Sequence, residues 1–181
     1  ESGEIISWVF EGIKITNQPI RPNFWRPPTD NDLGNGLDKR AKMWQDVTYN
    51  LKANLVESPT TSKAGVGFKV GYSLPDSEAE VLVDYFLEPT GLLHIQYAFT
   101  PKRKELPKIP RIGMFLTLPK DFEYVKWYGK GPEESYADRK TGLKTGLYSG
   151  KVEEQFHRYS RPQETGNKTD VRWINLSNGK I

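Results

Sequence analysis

Val81-Leu82-Val83-Asp84-Tyr85-Phe86-Leu87, the turn Glu88-Pro89-Thr90-Gly91 and the return Leu93-His94-Ile95-Gln96-Tyr97-Ala98-Phe99 decide the fold class. Apolar side chains recur at every second position on both arms. That period belongs to a strand with one buried and one wet face. His94 falls on the wet face. Upstream, Leu51, Ala53 and Leu55 alternate, then Val66, Phe68 and Val70, so the chain from Tyr49 reads as an antiparallel meander. Nearer the start, Ile6, Trp8 and Phe10 turn at Glu11-Gly12 into Ile13 and Ile15, a hairpin. Downstream, Met114, Leu116 and Leu118 resume strand character, and Tyr124 to Tyr128 forms another strand ended by Gly129. Only Leu37, Ala41, Trp44 and Val47 recur at helical spacing, predicting one short helix over 37–47, capped by Asp38 or Asn35, with Trp44 facing the sheet. Many strands and a single short helix imply a mainly β, antiparallel sandwich, read as one domain over 1–181.

Composition narrows the function classes. The chain has 181 residues, 36% hydrophobic and 12% aromatic, enough for a core without staples. Thirteen prolines and sixteen glycines suit strands and turns rather than a helical bundle. A net charge of +3, spread along the chain, argues against a nucleic-acid partner. There is no cysteine, which excludes disulfides and thiolate metal sites and fits either a cytoplasmic or a periplasmic protein. No apolar run reaches membrane-spanning length, so no membrane partner is expected. The sequence opens on Glu1-Ser2-Gly3 and stops at Asn178-Gly179-Lys180-Ile181, within what reads as a hairpin. Both ends therefore read as cut from a longer, multidomain protein, with this sandwich truncated at its C-terminus and any targeting signal outside the sequence.

Chemistry is expected in the polar loops. Phe24-Trp25-Arg26 reads as a strand end that feeds Pro27-Pro28-Thr29-Asp30-Asn31-Asp32-Leu33-Gly34-Asn35-Gly36, a loop stiffened by two prolines and rich in acceptors. Asp30 and Asp32 superficially resemble a calcium loop, but the required Gly and Glu positions are absent, so no metal ligand is assigned. Gly129-Lys130-Gly131 lacks the context of a phosphate loop. His157 lies near Phe156 and Tyr159, an arrangement more often structural than catalytic. Arg26, Arg139 and Arg161 are suited to hold carboxylates bidentately, with Asp30, Asp32, Asp138 or Glu164 as partners of Arg26 or Arg139. Trp25, Trp127, Tyr128, Tyr136 and Tyr159 could supply a sugar platform, although alternation assigns most of them to the core.

Three blocks carry a resemblance. Trp25-Arg26-Pro27-Pro28-Thr29-Asp30-Asn31-Asp32, Trp127-Tyr128-Gly129-Lys130-Gly131-Pro132-Glu133-Glu134-Ser135-Tyr136-Ala137-Asp138-Arg139, and Arg161-Pro162-Gln163-Glu164-Thr165-Gly166-Asn167 followed by Asp170-Val171-Arg172-Trp173 come in order. Together they resemble the C-terminal β domain of large family 2 β-galactosidases. The resemblance implies a large two-sheet supersandwich of the galactose-mutarotase type and a parent that hydrolyses terminal β-galactosides with retention. In that family both catalytic glutamates sit in a separate barrel domain, so no catalytic residue is assigned here. The barrel and a galactoside would be the partners, in a parent expected to be a homo-oligomer. No cofactor is expected in this fragment, and Mg or Na ions are those such a parent could use. Candidate cleft or interdomain contacts are Arg26, Asp30, Asn31 and Asp32, then Tyr136, Asp138 and Arg139, then Glu164 and Asn167. The family's aromatic residue near the end of the domain would follow Ile181. Two rival readings remain: a stand-alone carbohydrate-binding or scaffold module, and a mutarotase-like epimerase, which two scattered histidines support poorly.

Overall fold

The computed structural model describes residues 2–16, 18–74 and 79–179. In chain order the strands are β1 (Trp8–Phe10), β2 (Ile13–Thr16), β3 (Arg21–Asn23), β4 (Lys52–Ser62), β5 (Gly65–Ser73), β6 (Ala79–Leu87), β7 (Leu93–Pro101), β8 (Gly113–Phe115), β9 (Tyr124–Gly131), β10 (Lys144–Lys151) and β11 (Trp173–Ser177). The helices are α1 (Asp30–Gly34), α2 (Leu37–Arg40) and α3 (Lys42–Asn50). The chain is mainly β with antiparallel pairing, in the β-sandwich class. It falls into two compact units, residues 1–26 with 37–117, and residues 27–36 with 118–181.

The first unit is built on the four-stranded sheet β4-β5-β6-β7. The β6–β7 hairpin has the register that alternation requires, with Val81 opposite Phe99, Val83 opposite Tyr97 and Tyr85 opposite Ile95. Gly91 closes its turn, donating to Glu88 O at 3.0 Å with φ +86. A Cβ at Gly91 would lie 2.2 Å from the Phe10 ring, so both backbone angle and space demand glycine. β4 is less regular, with register shifts between Leu55 and Glu57 and between Glu57 and Thr60. The hairpin at Glu11-Gly12 forms, but it starts at Trp8, leaving Ile6 exposed. Phe24 and Trp25 follow β3 rather than ending it, and β8 stops at Phe115, short of Leu116 and Leu118.

Trp44 organises the core of this unit. Its ring, fully buried, lies 5.4 Å from Phe24 and 6.1 Å from Phe99, and its indole N–H donates to Pro107 O at 2.9 Å. Thr48, one turn on, donates to Trp44 O and accepts from Phe24 N. Burial of the Trp44 ring thus comes with its own polar handle satisfied. The expected single helix over 37–47 is two helices. The chain leaves helical geometry at Ala41 (φ −112, ψ 11), itself buried in the core. α3 has Ala41 at its N-cap, with no side-chain cap hydrogen bond.

The second unit has the three-stranded sheet β10-β9-β11 with β9 central. Val125 and Trp127 are buried on one face of β9, while Tyr124, Lys126 and Tyr128 are exposed on the other. The expected irregular loop over 27–36 contains α1. Thr29 caps it, accepting from Asp32 N at 3.3 Å, and the Asp32 carboxylate accepts from Thr29 N at 2.8 Å. Thr29-x-x-Asp32 is a capping box, with Asp in the place usually taken by Glu or Gln. Both α1 acids lie in its first turn, where the helix dipole favours them.

Trp44→Ala removes the ring that joins α3 to β7 and to Phe24. We expect it to cost about 3–5 kcal/mol of unfolding free energy, measured by urea denaturation of the protein.

Candidate functional site

The second and third polar blocks meet around Glu134, a residue outside the set of candidate contacts named from the sequence. Its side chain is only 10% exposed. One carboxylate oxygen accepts from Arg139 Nη2 at 2.5 Å and from the Tyr159 hydroxyl. The other accepts from Thr165 Oγ1 at 3.0 Å and Gly166 N at 2.8 Å. A carboxylate taken out of water needs such a set of donors. Gly166 is held to glycine by its φ of +76, and a Cβ there would lie 2.8 Å from Gln155 O.

Next to this hub, Ser135 is fully buried and accepts from Thr169 N at 2.8 Å and Thr169 Oγ1 at 2.9 Å. Ser135 N donates to Asn167 O at 2.7 Å, and Asn167 Nδ2 donates to Ser135 O at 2.6 Å. Asn167 therefore ties the blocks together through backbone groups. Glu164 is buried despite its charge. Tyr136 and Arg139 close a tight turn through mutual backbone hydrogen bonds, leaving Asp138 exposed at its tip.

Arg139 takes Glu134 as its ion-pair carboxylate, in place of the acids expected from the sequence. Its guanidinium also lies 5.2 Å from the Tyr136 ring centre and 6.0 Å from that of Tyr159. His157 stacks edge-on against Tyr159 at 4.4 Å, a structural contact. Burial pushes the Tyr136 phenol up to about 12. Negative charge on Glu164 and Glu134 adds to the rise, while the Asn167 backbone and Arg139 oppose it. Burial lowers the Lys168 ammonium, partly offset by Glu134 and Glu133. Its Nζ sits 4.6 Å from the Trp127 ring centre and donates to Pro132 O.

The first and third blocks also touch. Asp30 N donates to Gln163 Oε1 at 3.2 Å, Gln163 Nε2 donates to Asp30 Oδ2 at 3.4 Å, and Arg161 Nη1 lies 3.7 Å from Asp30 Oδ1. Asn31 beside them is exposed. Asp32 points a carboxylate oxygen at the α1 cap, where it accepts from Thr29 N and Thr29 Oγ1. Arg26 is half-buried in the first unit. A shallow depression of about 300 Å³, lined in part by Glu133, Glu134, Phe156, His157 and Lys168, opens beside the hub. Among the described residues no group of three or more His, Cys, Asp or Glu could hold a metal ion. No signal in the sequence separated Glu134 from its neighbour Glu133; only its donors in space do so.

A mainly β chain whose three polar blocks converge in this way can now be placed. A family model described as "Beta galactosidase small chain" matches residues 1–180. The chain belongs to the β-galactosidase small-chain family. It is similar to a β-galactosidase of Priestia megaterium, 41% identical over 97% of this chain and 17% of that protein. A β-galactosidase of Halalkalibacterium halodurans is 33% identical, covering 96% of this chain and 17% of its own length. One from Kluyveromyces lactis is 31% identical over 96% and 17%. The chain thus spans about a sixth of the length of these relatives.

Three expected outcomes follow from the geometry. Glu134→Ala strands the Gly166 amide, Thr165 and Tyr159 together, and should cost about 2–4 kcal/mol in chemical denaturation. Arg139→Ala, whose side chain is 57% exposed, should cost about 1 kcal/mol. The raised Tyr136 value gives stability fully present below pH 10, the ordinary phenol value, and lost as pH rises through about 12. Unfolding free energy should therefore fall less steeply over that interval in Tyr136→Phe than in the wild type.

Proposed function

We propose that this chain is one domain of a β-galactosidase that hydrolyses terminal β-galactosides with retention, through a glycosyl-enzyme intermediate formed on glutamates of a separate barrel domain. The observation that carries this reading is the family match along nearly the whole chain, together with the meeting of the three polar blocks through Asp30 and Glu134. In this reading the domain is part of a supersandwich that shapes the cleft and supports assembly of a homo-oligomeric parent. The exposed members of the polar blocks, Asp30, Asn31 and Asp138, serve as its contacts to the barrel or the sugar. Buried Glu164 and half-buried Asn167, with Tyr136 and Arg139, hold those contacts in place. Asp32 belongs with the second group, because its carboxylate is committed to the α1 cap. No residue here is proposed as acid, base or nucleophile, and Mg or Na ions would be bound elsewhere in the parent.

The isolated chain is accordingly expected to leave a nitrophenyl β-galactoside uncleaved, whereas the full-length enzyme cleaves it and releases β-galactose first, as read by NMR of the fresh product. Cleavage by the purified chain, or release of α-galactose by the full-length enzyme, would overturn the reading.

A further inference from the structure

We infer that the open face of the β10-β9-β11 sheet binds an oligosaccharide. Strand register sets the side chains in rows. Leu147, Tyr128 and Trp173 lie side by side across the three strands, and Ser149, Lys126 and Asn175 form the next row. Tyr124, opposite Lys151, begins the third. Tyr124 is 51% exposed, Tyr128 40% and Trp173 44%. These rings stand on the wet face, opposite the one on which Trp127 is buried. The rows are two residues apart along a strand, so the aromatic pair and Tyr124 are separated by about 13–14 Å, the span of a short glycan.

The middle row carries the recognition chemistry. The side chains of Lys126, Ser149 and Asn175 make no hydrogen bond or ion pair among the described residues. An ammonium, a hydroxyl and a carboxamide together offer donors and acceptors to sugar hydroxyls. A depression of about 420 Å³ opens there, lined by Tyr124, Lys126, Ser149, Lys151 and Asn175 among others. Tyr124 is the aromatic wall of this depression, and such a wall with a few convergent polar groups is a usual make-up of a small-molecule site. A galactopyranose suits it. Its axial C4 hydroxyl leaves the C–H groups at C3, C4 and C5 on one side, a flat apolar patch for a tyrosine or tryptophan ring, while the remaining hydroxyls reach the polar row.

A protein partner fits this face less well. The centres of protein interfaces are depleted of lysine and serine, and here Lys126 and Ser149 occupy the centre. The choice of a galactosyl ligand rests on the reading under Proposed function; the existence of the face does not.

The test is electrophoresis of the full-length enzyme carrying this chain through gels containing soluble β-1,4-galactan. The wild type should be retarded. Trp173→Ala and, independently, Asn175→Ala should each weaken the apparent affinity about tenfold, with melting temperatures close to wild type. Asn175→Ala keeps the test sound if loss of the Trp173 ring disturbs folding. No retardation of the wild type, or wild-type retardation of both variants, overturns the inference. So does protection of Trp173 from hydroxyl-radical oxidation in the sugar-free full-length enzyme, because that would mean protein covers the face. An enzyme retarded by galactan yet inert towards a nitrophenyl β-galactoside would refute the enzymatic reading and leave the binding face standing.

Discussion

A single desolvated carboxylate governs the second unit. Glu134 sits almost out of water, and its charge is tolerable only if donors surround it. The donors come from widely separated places in the chain: Arg139 just downstream, Tyr159 beyond β10, and Thr165 and Gly166 in the third block. Each position has little freedom, since the hub fixes where three segments without regular strand pairing must pass. The buried Ser135 and the Asn167 amide work beside it in the same way, satisfying backbone groups that no ladder reaches. Polar satisfaction, more than apolar burial, therefore sets the shape of these loops.

The first unit reaches order by the opposite route. Trp44, Phe24, Val70, Val81 and Val83 pack into a core that is almost wholly apolar. Thr16, Asn23 and Thr48 are among its few buried polar residues, and Glu4 pairs with Arg21 at 2.8 Å near the Tyr72 and Tyr85 phenols. Burial is the main reason both phenols titrate above their ordinary range, and Glu4 adds to it. Arg21 also donates to Leu51 O at 2.7 Å, which links β3 to the end of α3. Two units of one chain thus rest on different dominant forces. Volume changes threaten the first most, and the loss of single hydrogen-bonding groups the second.

Those forces explain what the sequence could disclose. Period-two alternation reports a buried sheet face directly, so the β6–β7 hairpin was legible residue by residue, whereas β9, read as ended by Gly129, runs on to Gly131. The capping box at Thr29 and Asp32 was present in the sequence as a four-residue pattern, but two prolines and neighbouring turn formers masked it as irregular loop. The break at Ala41 carried no local signal, because alanine is the best helix former and only packing in the core explains its non-helical angles. Glu134 was hidden for a different reason. Its identity as a hub depends on side chains brought from far along the chain, and a sequence holds two adjacent glutamates there without saying which turns inward. The same limit applied to Arg139, whose carboxylate partner was sought among Asp30, Asp32, Asp138 and Glu164. The contact between Asp30 and Gln163 was foreseeable only as a likeness of character between two polar loops.

The irregular register of β4 has a consequence for how this chain behaves among other proteins. β4 is an outer strand of its sheet, and such a strand presents unpaired backbone groups that can recruit a stranger. The shifts around Glu57 bend that border out of a flat ladder, and Pro59, lying between them and Thr60, withholds an amide. Charge at Glu57, held by Lys69 at 2.7 Å, adds a further mismatch to any incoming strand. The sheet's exposed border is thereby a poor template for growth, and a chain crowded during synthesis is protected at the place where sheet proteins most readily join their neighbours.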